Sequence, residues 1–321
     1  MKYWKKIFKV LAAAVILSAG HAAFPNEGKV VKVLAIGNSF TWNVNAFREQ
    51  LNTADPGYKL KVAQACIAGC SLERHSTLAL QNEADPQNPK FKQYKNTQCM
   101  PEGSYGLKDI LLFEKWKYIT IQQVSDKSDD ISTFRPHTAN LCAFIKKYCP
   151  DAEIIVYETW ADRVDNPRMK PKNKTNASMY KNLDTAYATI AAELGNLRII
   201  PVGDAFQVAG ERPDFKFTPD EKFDFKNAAY PNTPDQTHAL CTGWIWVKDS
   251  KTGQNKLAYD HHASPAGRLL AALVWRQFFF PEIDVRKNTF RPEGVAAADA
   301  KILREVAYST VKDKLKPSVA K

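Results

Sequence analysis

Beyond its first two dozen residues, this chain has no apolar run approaching the ~20 residues a membrane helix needs, so the body of the protein is not expected to cross a bilayer. It has no internal repeat and no low-complexity tract, which argues for one packed domain and against an array or a disordered arm. A nucleic-acid recognition motif is also lacking, and the positive charge is scattered along the chain instead of blocked into an arm. Nucleic acid is therefore not an expected partner; a basic surface facing acidic polysaccharide is the alternative to simple solvated lysines. Zinc-type cysteine spacing is missing as well, since Cys66/Cys70 and Cys142/Cys149 match no common pattern. With Cys99 and Cys241 the cysteines number six, an even count that permits three disulfides in an oxidising compartment; buried thiols are the other reading.

The leading segment has the make-up of a secretory signal. Lys2, Lys5, Lys6 and Lys9 precede an apolar stretch over 7–17 and small residues through Ala23, with cleavage expected after Ala22. Loss of residues 1–22 lowers the formal charge from +11 to +7. No cysteine lies near that point, which argues against a lipid anchor. The expected product is a periplasmic or secreted protein, free of the membrane once the signal is removed, with residues 23–321 forming a single domain.

Apolar runs rich in Val and Ile predict buried parallel strands over 30–36, 60–65, 118–122, 154–157 and 197–202. Helical patterns fall between them, over 45–53, 136–148 and 177–194. That alternation implies right-handed crossovers and an α/β fold: a three-layer α/β/α sandwich on a central parallel sheet. Two stretches rich in Pro, Asn, Asp and Lys break the rhythm, at about 81–106 and 211–256, and are read as insertions walling the active site. A hairpin is expected within and after the second, from 243–247 to 256–259, turning at Lys251-Thr252-Gly253-Gln254. Helices over 265–279, stopped by Pro281, and 296–310 close the chain.

The chemistry points to Ser39. The run ending Ile36-Gly37-Asn38-Ser39-Phe40 delivers this serine to the carboxyl end of a strand, the edge where open α/β sheets bind ligands. A serine hydroxyl is a weak nucleophile until a base takes its proton, and Asp260-His261-His262-Ala263-Ser264-Pro265 supplies candidate bases far along the chain.

Four blocks in order, Ile36-Gly37-Asn38-Ser39, Ile67-Ala68-Gly69-Cys70-Ser71, Ile121-Gln122-Gln123 and His261-His262-Ala263-Ser264-Pro265, resemble the SGNH, or GDSL-type, hydrolase superfamily, a flavodoxin-like fold of esterases and lipases. More narrowly, they are similar to a bacterial branch catalogued as a domain of unknown function. The resemblance spans roughly residues 30–280. It implies Ser39 as nucleophile, His262 as base, and an oxyanion hole from the Ser39 and Gly69 N–H groups and the Gln122 amide. Gln122-Gln123 stands where the superfamily has Gly-x-Asn-Asp, and Tyr259 stands where its orienting Asp normally precedes the histidine by three residues. Asp260 is then the candidate orienting carboxylate, a backbone carbonyl the alternative, and His261 a second candidate base. Asn38, His75, Gln123 and Trp160 are candidate substrate contacts, and Trp160, Trp244 and Trp246 either stack on sugar rings or fill the core. The implied activity is hydrolysis of carboxylic esters on carbohydrate, acetyl esters above all, without a cofactor. A carbohydrate-binding relative with little catalysis is one rival. A metal-dependent hydrolase using Asp260, His261, His262 and His238 is the other.

Overall fold

The computed structural model describes residues 28–95 and 97–316; the expected signal segment, residues 1–22, lies outside them. In chain order the elements are β1 (Lys29–Gly37), α1 (Ser39–Asn45), α2 (Arg48–Ala54), β2 (Tyr58–Cys66), α3 (Leu72–Ala84), the short β3 (Tyr94–Lys95) and β4 (Ser104–Tyr105), α4 (Leu107–Phe113), β5 (Tyr118–Ile121), α5 (His137–Tyr148) and β6 (Glu153–Glu158). There follow α6 (Asn176–Glu193), β7 (Arg198–Pro201), α7 (Val202–Glu211), β8 (Cys241–Lys248), β9 (Asn255–Ala263), α8 (Pro265–Phe279) and α9 (Ala297–Lys314).

Five strands form one parallel sheet in the order β2-β1-β5-β6-β7. Along β1, Val31, Val33 and Ala35 join one core, and Leu34 and Ile36 join the other. Both faces are buried, so the strand reads as a continuous apolar run instead of alternating. Helices α1, α7, α8 and α9 cover the first face with Phe40, Phe206, Leu270 and Leu303. On the second face, α3 to α6 contribute Leu72, Ile110, Leu141 and Tyr187. The fold is the expected three-layer α/β/α sandwich. Its strand order reverses between β1 and β5, which opens a crevice at their carboxyl ends.

Several boundaries differ from expectation. The helix expected over 45–53 is two helices, because Asn38 starts α1 earlier by accepting the Phe40 N–H on its side-chain oxygen, and a break at Ala46-Phe47 precedes α2. Helix α3 runs into the 81–106 stretch. The remainder of that stretch packs along the outer sheet edge, where Gln64 of β2 donates its N–H to Thr97 O at 3.3 Å. Its Tyr94 hydroxyl meets His75 at 2.8 Å, while the rest of the stretch is edge cover more than an active-site wall. The 211–256 stretch carries β8 and, with α7, encloses a cavity of about 600 Å³ lined by Phe206, Phe217 and Leu240. All six cysteines are free thiols, four of them buried, in place of the permitted disulfides. Among the described residues no helix is long and apolar enough to cross a membrane.

Candidate active site

Ser39 begins α1 at the carboxyl end of β1, and His262 and Asp260 lie near the end of β9. The Ser39 Oγ is 2.8 Å from His262 Nε2, and His262 Nδ1 is 2.5 Å from Asp260 Oδ1. A carboxylate only accepts, so Nδ1 carries the ring proton and Nε2 is left to accept from the Ser39 hydroxyl. Asp260 also accepts the His262 backbone N–H at 2.9 Å. Its hydrogen bond to the imidazole holds the carboxyl below the usual aspartate range, against partial burial.

The extended backbone of β9 explains why the carboxylate stands two residues before the histidine. In a strand, residues i and i+2 share a face, so Asp260 reaches the ring and Tyr259 does not. The Tyr259 hydroxyl instead donates to Asp165 at 3.4 Å, and its ring lies 5.5 Å from the Arg163 guanidinium. His261, the other candidate base, makes no hydrogen bond to Ser39; its ring stacks on His262 with centroids 4.6 Å apart, and burial pushes its pKa down to about 4.

Gly69 lies in the turn after β2, exposed and at φ +60°, a left-handed conformation that a Cβ would strain. The turn is pinned beside Ser39 on both sides: Ile67 donates its N–H to Gly37 O at 3.1 Å, and the Asn38 amide donates to Cys70 O at 3.0 Å. Among the described residues, neither the Ser39 nor the Gly69 N–H donates to another protein atom. Gln122 departs from expectation. It is 1% exposed, its Nε2 donates to Asn38 Oδ1 at 2.8 Å, and its Oε1 accepts from the Thr41 hydroxyl at 2.6 Å. Its oxygen and one of its two N–H groups are committed to Thr41 and Asn38, so the buried side chain braces the turn and keeps a single N–H beyond that. Gly37 makes room for this: a Cβ there would lie 2.4 Å from Thr41 Oγ1 and 2.9 Å from Gln122 Oε1.

The candidate substrate contacts are also scaffold. Asn38 is buried, caps α1 and receives Gln122. His75 is fully buried between Gly37 O, 3.0 Å from Nε2, and the Tyr94 hydroxyl, 2.8 Å from Nδ1. The carbonyl fixes the proton on Nε2, and burial pushes the pKa down to about 4, so the ring is neutral. Gln123, likewise inaccessible, accepts the Leu72 and Val124 N–H groups and donates to Thr133. Trp160 is buried between Phe40 and Phe206, with ring centroids 3.9 and 4.7 Å away, so it fills core and cannot stack on a sugar. Trp244 and Trp246 belong to the β8–β9 hairpin, their indole N–H groups donating to Asp165 and Asn232 O. Two residues the sequence did not single out join the site. Asn43 donates to Ser39 O at 3.1 Å and accepts the Ala263 N–H at 2.6 Å, tying the helix of Ser39 to the strand of His262. Trp42 is 44% exposed one helical turn from Ser39.

Ligand atoms of Asp260, His261 and His262 lie within 4.8 Å of one another, as do those of Glu158, Asp184 and Asp204. In the first group a metal would have to break the Ser39–His262–Asp260 chain to gain its ligands. His238 is not part of it: this ring pairs with Asp299 at 3.4 Å and stacks on Phe215. In the second group the Lys314 ammonium already sits 2.8 Å from Asp204.

The profile of a family described as a domain of unknown function, DUF4886, matches residues 32–224, which include Ser39 and Gly69 and stop short of β9. A DUF4886 family protein from Bacteroides uniformis has a crystal structure that covers 88% of this chain and 95% of its own, with 23% identity and a TM-score of 0.65. A protein from Slackia heliotrinireducens named for the SGNH hydrolases covers 78% and 98%, at 20% identity and a TM-score of 0.46. A Clostridium thermocellum family 3 carbohydrate esterase covers 79% and 96%, at 10% identity and a TM-score of 0.40. No curated protein matches the chain.

Proposed function

The chain belongs to the DUF4886 family, and from that premise and the geometry of its site we propose that it is a serine esterase working through an acyl-enzyme on Ser39. The observation that carries this reading is the continuous chain from Asp260 through His262 to Ser39, with links of 2.5 and 2.8 Å. Ser39 Oγ attacks the ester carbonyl as its proton passes to His262 Nε2, and Asp260 stabilises the imidazolium that forms. The Ser39 and Gly69 N–H groups receive the oxyanion. Collapse expels the alcohol with the proton from Nε2. Water, deprotonated by the same nitrogen, then attacks the acyl carbon and frees Ser39 and the carboxylic acid.

The substrate class belongs to the proposal: an ester on carbohydrate, with acetyl as the acyl group. The resemblance of the four sequence blocks and the export pattern of residues 1–22 support it. On this reading the protein acts on glycans in the periplasm or outside the cell.

The test is acetate release from p-nitrophenyl acetate and acetylated polysaccharide by the mature protein and by Ser39→Ala, each with and without chelator. Ser39→Ala is expected to lower turnover by about a thousandfold or more, and chelation to leave it unchanged. Equal turnover by both proteins would overturn the reading. Loss on chelation with recovery on adding zinc would favour a metal centre at Asp260, His261 and His262.

A further inference from the structure

A second, smaller cavity of about 90 Å³ opens beside the base and is lined by His261, whose ring stacks on that of His262. Three segments at the carboxyl edge of the sheet build it: the turn after β5 with Asp126, the segment after β6 with Asp162, and the loop before α6 with Arg168 and Lys172. Lys174 is neutralised by Asp129 within the lining, and Met169 and Met179 add apolar surface.

The other charged groups are not neutralised in this way. Asp162 uses only its backbone, donating its N–H to Met179 Sδ and accepting from the Asn176 amide. Among the described residues its carboxyl has no hydrogen-bond partner, and neither do the Arg168 guanidinium and the Lys172 ammonium. Acceptors and donors therefore face one space with their hydrogen-bonding capacity unused. An acyl chain placed there would strip water from these groups and return nothing, which is costly for charges. Ring hydroxyls both donate and accept, so they replace that water bond for bond.

We propose that this cavity is the subsite for the hydroxyl-bearing alcohol part of the ester, with Asp162 accepting from a ring hydroxyl and Arg168 donating to one. The inference rests on the esterase reading, because the cavity gains this role from its place beside His262. It makes Asp162 and Arg168 specificity residues, in contact with the leaving sugar and not with the reacting carbonyl. Burial pushes the Asp162 carboxyl up to about 6, opposed by Arg168 and Lys172, so it remains an acceptor at neutral pH.

The test compares two esters across Asp162→Ala and Arg168→Ala: p-nitrophenyl acetate, whose alcohol has no ring hydroxyls, and an acetylated xylo-oligosaccharide. Both variants are expected to raise KM for the saccharide ester by about tenfold or more and to leave p-nitrophenyl acetate kinetics within about twofold. Unchanged p-nitrophenyl acetate kinetics also show that the variant is folded. Saccharide kinetics unchanged in both variants, or an equal loss on the two esters, would overturn the subsite. Binding of the deacetylated oligosaccharide to Ser39→Ala, weakened when Asp162→Ala is added, supports the subsite independently of turnover; binding indifferent to Asp162 would overturn it. Failure of the esterase reading is distinct, since it appears as p-nitrophenyl acetate turnover that survives Ser39→Ala.

Discussion

In the proposed mechanism a neutral imidazole serves Ser39 as a base only while its proton stays on the opposite nitrogen, and the Asp260 carboxylate accepts that proton's hydrogen bond. Asp260→Asn removes the charge that stabilises the imidazolium and lets the ring take the wrong tautomer. It is expected to lower kcat on p-nitrophenyl acetate by about 10²–10⁴-fold with KM little changed; steady-state kinetics that match wild type would show that Asp260 does not orient His262. His75 makes a different prediction. Its pKa falls from 6.5 unfolded to about 4 in the fold through burial. Between those values the unfolded chain binds a proton that the native state refuses, so the stability from burying His75 neutral is present above pH 6.5 and is lost as pH falls toward 4. In urea titrations, the stability gap between wild type and His75→Gln is expected to shrink by about 3 kcal/mol from pH 7.5 to pH 4, and a constant gap would refute the linkage. The pairing of Ser39 with His262 was legible because both residues stand near the ends of strands, and the structure brings them within 2.8 Å. His75 and Gln123 were read as substrate contacts, and the choice for Trp160 between sugar stacking and core stayed open, because burial decides whether such a side chain meets substrate or braces the fold and a block of sequence does not display burial.

At the scale of elements, the five strands of the parallel sheet were legible because each is a short, largely apolar run whose residues enter the cores on both faces. Helix α8 matched its expected span because Ser264, Pro265 and Pro281 punctuate it. Helix α1 was not, since its start depends on the Asn38 side chain bonding the Phe40 N–H, a local choice that an apolar period does not encode. The link between α1 and β9 was equally hidden. Asn43 bridges two segments distant in sequence, and it joins the Ser39–His262 contact in holding α1 to β9. Asn43→Ala leaves the buried Ala263 N–H without its acceptor, a loss of about 1–3 kcal/mol in stability. It also frees α1 to drift from His262. With reacting groups sensitive to ångström-scale displacement, kcat is expected to fall by about tenfold to a hundredfold while KM changes little. Parallel measurement of urea midpoints and kinetics checks this: a stability loss with unchanged kcat would show that the bridge is structural only.

For the whole molecule, the even cysteine count suggested cross-links, and the structure holds free thiols instead. Size accounts for this, because a chain near 300 residues buries roughly 75% of its unfolded surface and has apolar cores on both faces of its sheet. Disulfides matter most where such a core is too small. Free thiols remain compatible with an oxidising compartment when they are hard to ionise. Burial pushes Cys66, Cys70, Cys142 and Cys241 up to about 12, so little of the reactive thiolate exists at neutral pH. Cys99 and Cys149 are raised too, again by burial. The purified protein is therefore expected to melt at the same temperature with and without dithiothreitol. Denatured without reductant, it should titrate six thiols that react far more slowly in the native state. A melting point lowered by reductant, or fewer titratable thiols, would mean that the protein closes disulfides and depends on them.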